Sequence, residues 1–478
     1  MAGIAAAEGS LRDAAAARGG LAGGSLGALR RPLSGVGSGL GPSVLYGATA
    51  EERVVLDVGS FTLRAGFSGD QAPLHSGLFY SRFTATGPAG RLVGHSPGLH
   101  TGATGVEDEA LDDGELDALV MEQLRAVYRS DLLVDAKARK VAVVESALLP
   151  ARVKRAVARV LLCNLRVPQV SFYPAAVAAL MSCGAMTGLV VDCGHRAAAV
   201  VPVYDGRPLN AYVSTTPMAG HMLLRSLRAL LCRFAKFVPA VAPAAEVAVD
   251  SQNLDYATCA RVLRDLCSVS PRPAPRDVLG GGSDGALGVD GVGPALARWF
   301  ESSCTAAEPE ARVAADLHGH GRGVLRIPAW VLERAAEPLL AGDAGEDHPG
   351  LVDTLIGCIG RVPVDTRRQL VGRVLVVGGV ADMPGFPERL LADLAARLRV
   401  HPRWSALADG VAPAAAQAGQ PADAFRPSQR PWIGVSLAVA AKFGGVDVRR
   451  DEFDGHSLPD WTQSAAPPGP RIALSESA

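Results

Sequence analysis

One short pattern occurs twice in the chain, and its recurrence restricts the fold more than any other feature. The first copy, RVVLDVGSFTLRAGFSGD, is an apolar strand from Val54 to Leu56, a turn at Asp57-Val58-Gly59-Ser60 and a second strand. The second, GLVVDCGHRAAAVVPVYDG, sets strands at Leu189–Asp192 and Ala197–Tyr204 around a turn carrying Gly194, His195 and Arg196. After the first hairpin come a helical period at Leu116, Leu119, Val120, Leu124, Val127 and Tyr128, the strand KVAVVES, the basic-faced helix ARVKRAVARVLLC, the strand VPQVSF and the helix PAAVAALMSCG. After the second comes the helix HMLLRSLRALLCRF and, further on, the helix LVDTLIGCIGRV, the strand VLVVGG and the helix FPERLLADLAARL. Such alternation predicts mixed sheets with helices over their faces. The repeated lead hairpin predicts an internal duplication, and hence an α/β chain of two lobes.

At 478 residues the chain is too long for one simple core, in keeping with two lobes. With 48% hydrophobic but only 5% aromatic residues, Ala, Val and Leu must fill the interior. Lys and Arg number 47 against 48 Asp and Glu, so no global field draws nucleic acid or an anionic membrane. No apolar run approaches the roughly 20 residues of a membrane-spanning helix, and no direct membrane insertion is expected. The eight cysteines form no CxxC pair and no zinc spacing, which fits a reduced, cytosolic chain. Cys163, Cys183 and Cys193 lie in apolar runs and are expected to be buried thiols. Residues 1–50 read as a disordered Ala/Gly-rich leader, with an organelle transit peptide as the other reading. Residues 270–294 and 405–430 read as low-complexity, poorly packed insertions.

Hairpin turns of this kind can hold phosphate, because converging backbone N–H groups meet at one point and glycine lets the chain approach closely. Two that face each other make a clamp. A third element, VLVVGGVADMPGF, ends a strand at Gly378-Gly379, where the backbone could lie flat against a base or ribose. Singly, each piece reads more readily as a plain tight turn.

In this order the three pieces, with PWIGVSLAVAAKF near the C-terminus, resemble the actin and actin-related family from about Arg53 to about Thr462. The resemblance implies an actin-like two-lobed α/β fold with ribonuclease H-like duplicated mixed sheets and flanking helices. The first lobe would span residues 51–182, with a short pointed-end subdomain near 80–105; the second would span 183–430, and 431–478 would return to the first and end in a tail. The chain would cross between lobes near Cys183 and return near Pro431. ATP or ADP with Mg²⁺, held structurally, would lie between Asp57, Gly59, Ser60 and Arg64, Asp192 and Gly194, and Gly378 and Gly379. Asp57 and Asp192 would support the metal through water.

The departures from the family pattern argue against catalysis. Where actins have Asp-Ser-Gly-Asp-Gly, this chain has Asp192, Cys193, Gly194, His195 and Arg196. Phe61 replaces a turn glycine, Arg64 stands at the phosphate-binding lysine, and Ala175 falls where a glutamine orients the hydrolytic water. Phosphoryl transfer depends on positioning and charge stabilisation, so little or no hydrolysis and no catalytic residue are expected. His195 and Arg196 read either as solvated turn residues or as part of the altered clamp; Arg196 could salt-bridge across the cleft or touch a phosphate.

ESALLP, PVDTRRQL and SLPDW resemble the divergent branch of the family that caps the pointed end of the short filament in dynactin. The resemblance implies a cytoplasmic, cytoskeletal structural subunit whose partners are actin-like filament subunits and other pointed-end subunits, and indirectly dynein and cargo adaptors. The stretch Ser81–Gly94 lacks the apolar loop that plugs into a neighbouring subunit, as a cap requires; the other reading is a loop-length variation without consequence. Pro459 and Trp461 are candidate partner contacts, unless Trp461 only pins the tail to its own lobe. An active actin-fold ATPase and a chromatin-remodelling subunit are the alternative functions.

Overall fold

The computed structural model describes residues 52–78, 112–241, 245–273, 294–343, 348–417 and 424–459. The leader, the 80–105 segment, most of the 270–294 insertion and Trp461 lie outside them.

Two mixed sheets, each led by one of the sequence hairpins, give the expected duplicated α/β architecture. In the first, β1 (Val54–Val58) and β2 (Thr62–Phe67) are antiparallel and β3 (His75–Leu78) extends them. On the other side of β1, β4 (Val141–Glu145) and β5 (Gln169–Pro174) run parallel to it, and the strand Val446–Arg449 closes that edge antiparallel. β1 and β4 are buried along both faces, which explains their continuous Val/Leu composition. In the second sheet β6 (Gly188–Cys193) pairs antiparallel with β7 (Ala198–Tyr204) and parallel with Val374–Val377; the short β8 (Arg207–Pro208) and β9 (Ser214–Thr216) flank β7. A separate four-stranded antiparallel sheet is built from Lys236–Pro239, Val247–Ala248, Glu310–Leu317 and Gly321–Pro328.

Two helices join the sheets. The helix Ala175–Met181 buries Ala176, Val177, Ala179 and Leu180 against β6, β7 and Val374–Val377, while Ala175 and Ala178 face Val55, Ala142, Val144 and the helix Arg430–Ala440. The helices meet at Gly434, where a Cβ would lie 1.7 Å from the Ala178 carbonyl oxygen, so only glycine permits this approach. Trp432 is fully buried, and its indole N–H donates to the Val55 carbonyl at 3.0 Å. This tryptophan therefore anchors its helix to the first sheet.

Several local expectations need correction. Ser270 is buried, and its carbonyl and that of Arg272 accept hydrogen bonds from the buried Arg389 and Arg334, so the 270–294 stretch begins inside the packed structure. Within 405–430, Ala408, Ala414 and Ser428 are buried, and Ser428 donates to Asp382 through its N–H at 2.9 Å and its hydroxyl at 2.6 Å. Alanine-rich sequence looks featureless but packs readily, because alanine loses no side-chain entropy on burial. Cys163 is exposed while Cys183 and Cys193 are buried; the wide turn Val160–Asn164 directs Val160, Leu161 and Leu162 inward and leaves the thiol outside. The basic face of Ala151–Arg159 is paired, with Arg152 on Asp113 at 2.6 Å and Arg159 on Asp117 at 2.8 Å.

Candidate functional site

The β1–β2 register sets Asp57 directly opposite Arg64, so both side chains leave the same face of the hairpin. Arg64 Nη1 donates to Asp57 Oδ2 at 2.9 Å, and both side chains are largely buried. Burial still holds the Asp57 pKa above the usual carboxylate value, with the guanidinium offsetting part of the shift. Gly59 and Ser60 form the turn, in which the Gly59 N–H donates to the Thr62 carbonyl at 2.9 Å.

In the second sheet, Asp192 pairs with Ala199 of β7 and with Val377 on its other side. That register brings Gly378 beside Cys193. Its φ is +92°, and a Cβ there would lie 2.4 Å from the Cys193 carbonyl oxygen and 2.9 Å from Asp192 Oδ1, so glycine is required by conformation and by space. Gly379 opens the tight helical turn that ends at Asp382. Ser146, just past β4, donates to Asp192 Oδ2 at 3.3 Å and so connects the two sheets. Burial first, and then the nearby Asp57 charge, push the Asp192 pKa up to about 6. The structure thus sets Asp57 and Arg64, with the Gly59-Ser60 turn, close to Asp192, Gly194 and the Gly378-Gly379 pair where the two hairpins face each other.

The hairpin tips differ most from expectation. Phe61 and His195 stack, with ring centroids 4.4 Å apart and planes inclined by 17°. His195 is half-buried, so the solvated-turn reading fails: Phe61 on the opposing hairpin supplies an apolar face that water does not. The Tyr256 hydroxyl lies at hydrogen-bonding distance from His195 Nε2, 3.3 Å away, and the His221 ring meets His195 edge-on at 6.4 Å. Burial, with lesser contributions from His221 and Arg196, lowers the His195 pKa to about 3, so the ring is neutral at physiological pH. At the start of the helix Gly220–Phe234, the N–H groups of Gly220 and His221 donate to the carbonyls of Gly194 and His195 at 3.0 and 2.7 Å.

These residues do not fit a nucleotide's phosphates with magnesium. The space between the tips holds two rings, the facing histidine is uncharged, and the Arg64 cation is paired with Asp57. Ala175 begins its helix buried among Val144, Tyr173 and Trp432, an apolar contact that leaves no polar group at the water-orienting position. Sequence reasoning missed Ser146, His221 and Tyr256 as participants. The available signal was a ring-bearing residue in the tip of each hairpin, Phe61 in one and His195 in the other.

A carboxyl whose pKa is higher folded than unfolded binds more protons when folded, so its ionisation costs stability as pH rises from about 4 through 6. Asp192→Asn, which can still accept from Ser146, is expected to raise unfolding stability at pH 7.5 by about 2–3 kcal/mol, with no gain below pH ~4. Urea denaturation at the two pH values checks this. A destabilised variant at pH 7.5 would mean that the charge is compensated by a bound cation.

The tail candidates separate. Buried Lys154 donates to the Pro459 carbonyl, and Phe453 and Leu458 pack on the first lobe's core, so Pro459 is docked on its own lobe. No helix among the described residues is long and apolar enough to cross a membrane.

Comparison with known proteins supports the same architecture. The family model described as "Actin" matches residues 48–258 and 331–459. An "Actin-like protein" of Neurospora crassa is 24% identical over 363 residues, which cover 71% of this chain and 83% of the relative. The family match omits 259–330, which contains the Pro/Gly-rich insertion and two strands of the separate sheet.

Proposed function

Since this chain belongs to the actin family, the state of the cleft in which the family binds nucleotide bears most directly on its role, and we propose that it is a non-catalytic structural subunit of an actin-like assembly. The observation that carries this reading is the Phe61–His195 stack filling the space between the two hairpin tips. Ala175 adds to it, because a buried methyl cannot orient a water. Efficient phosphoryl transfer needs room for a phosphate, a positioned water and a free charge clamp in register; against it stand the two rings, the Ala175 methyl and an Arg64 cation already paired with Asp57.

The assembly we propose is dynactin, with this protein capping the pointed end of its filament and joining it to other pointed-end subunits in dynein-driven transport. Support comes from the likeness of ESALLP, PVDTRRQL and SLPDW to that branch of the family. Its place would be the cytoplasm and cytoskeleton. Affinity purification of the full chain from cells, followed by mass spectrometry, tests the proposal. Filament and pointed-end subunits are the expected partners, together with ATP turnover at background. Recovery of chromatin-remodelling subunits, or brisk hydrolysis by the purified protein, overturns it.

A further inference from the structure

We infer that the two hairpins are latched tip to tip by the Phe61–His195 ring pair, so that closure of the cleft is a property of the polypeptide and needs no nucleotide. Three observations converge. A clamp holds a phosphate by leaving room for it, by offering free N–H donors and by offering a cation. Here the room is taken by rings 4.4 Å apart. The Gly220 and His221 N–H groups donate to the Gly194 and His195 carbonyls of the same cleft wall, and Arg64 is held by Asp57 at 2.9 Å. The room between the tips and the Arg64 cation, which an anionic ligand would use, are therefore engaged within the protein itself.

The latch is also braced from behind. Tyr256, on the helix Tyr256–Leu266, lies at hydrogen-bonding distance from His195 Nε2, and His221 Nδ1 lies 3.2 Å from the His195 carbonyl oxygen. His195 is thereby positioned by two helices of the second lobe while its ring face meets Phe61 of the first. A ring pair stabilises by contact area and quadrupole alignment. Unlike a bound nucleotide it cannot dissociate, so its contribution does not depend on ligand concentration. This inference rests on the cleft geometry, which the proposed function shares, and not on which filament the chain joins.

The test uses the full-length purified protein. Thermal unfolding should be unchanged, within about 1 °C, by millimolar ATP·Mg²⁺, by ADP·Mg²⁺ or by EDTA. A rise of several degrees with either nucleotide, or a fall with chelator, overturns the latch. Hydrogen exchange provides a second reading. Phe61→Gly should speed amide exchange at Gly194–Arg196 by up to about tenfold, although the substitution lies in the other hairpin, whereas Phe61→Tyr should leave exchange there unchanged. Unaltered exchange at Gly194–Arg196 in a folded Phe61→Gly protein also overturns it. Should that variant fail to fold, the nucleotide and chelator measurements on the unaltered protein still decide. Nucleotide-dependent unfolding with dynactin partners retained would remove the latch alone; indifference to nucleotide with those partners missing would remove the assembly reading alone.

Discussion

His195→Phe is expected to make the protein slightly less stable at neutral pH and clearly more stable in acid, so that the two stability curves cross. The substitution keeps a ring against Phe61 but loses the contact with Tyr256, at a cost of about 1 kcal/mol at every pH. It also removes a titrating group. The histidine pKa falls from its ordinary value of 6.5 to about 3 on folding, so the unfolded chain takes up this proton first. Stability due to the neutral ring is fully present above pH 6.5 and is lost as pH falls toward 3. At pH 4 that loss amounts to about 3 kcal/mol, leaving the phenylalanine variant ahead by roughly 2 kcal/mol. Asp57 and Asp192, whose pKa values are raised by burial, act in the opposite sense over the same range. The comparison between variant and parent cancels them. Urea midpoints at pH 7.5 and pH 4 measure the effect, and parallel curves would mean that His195 titrates as it does in water.

Lys154→Ala is expected to be strongly destabilising at neutral pH, by roughly 3–5 kcal/mol. Lys154 Nζ lies 2.6 Å from Glu145 Oε1, with each side chain 7% exposed, and 4.7 Å from the Phe172 ring centroid. Truncating the lysine leaves a carboxylate charged inside the first lobe, where solvation cannot replace the ammonium. It also releases the Pro459 carbonyl, so protease cleavage within 451–459 should accelerate. Lys154→Met combined with Glu145→Leu should recover most of the loss, because an apolar pair of similar volume needs no compensation. Chemical denaturation of the parent, the single variant and the double variant decides. A single-variant cost under about 1 kcal/mol would place Glu145 in contact with water.

The hairpins were legible in the sequence because their information is local: strand periods, Gly59 and Gly194 at the turns, and Asp57 and Asp192 at the strand ends. Gly378 was legible for a related reason, since a glycine pair ending an apolar strand marks a close backbone approach. The latch was not legible, because Phe61 and His195 meet through space and nothing adjacent in the chain records the distance between hairpins. Nor was the burial of Lys154. The basic face of its helix hides it among Arg152, Arg155 and Arg159, and Glu145 in the apolar strand KVAVVES was the clue that a buried countercharge existed. The 405–430 stretch misled by composition, since alanine is common both in loose segments and in tight packing. Nothing in that composition distinguishes Ala408 and Ala414, which are core residues, from the alanines around them.

The crossing at Gly434 has a mechanical consequence. With the backbones of the two helices in direct contact at Ala178 and Gly434, torsion of one sheet against the other is resisted there. The ring pair joins the same two sheets at the hairpin tips. Two sheets fixed to each other at two separate points have little freedom to twist, so the outer faces of the two lobes keep a set pitch. Any protein that binds such a face meets a surface already in shape, and a smaller contact suffices for the same hold.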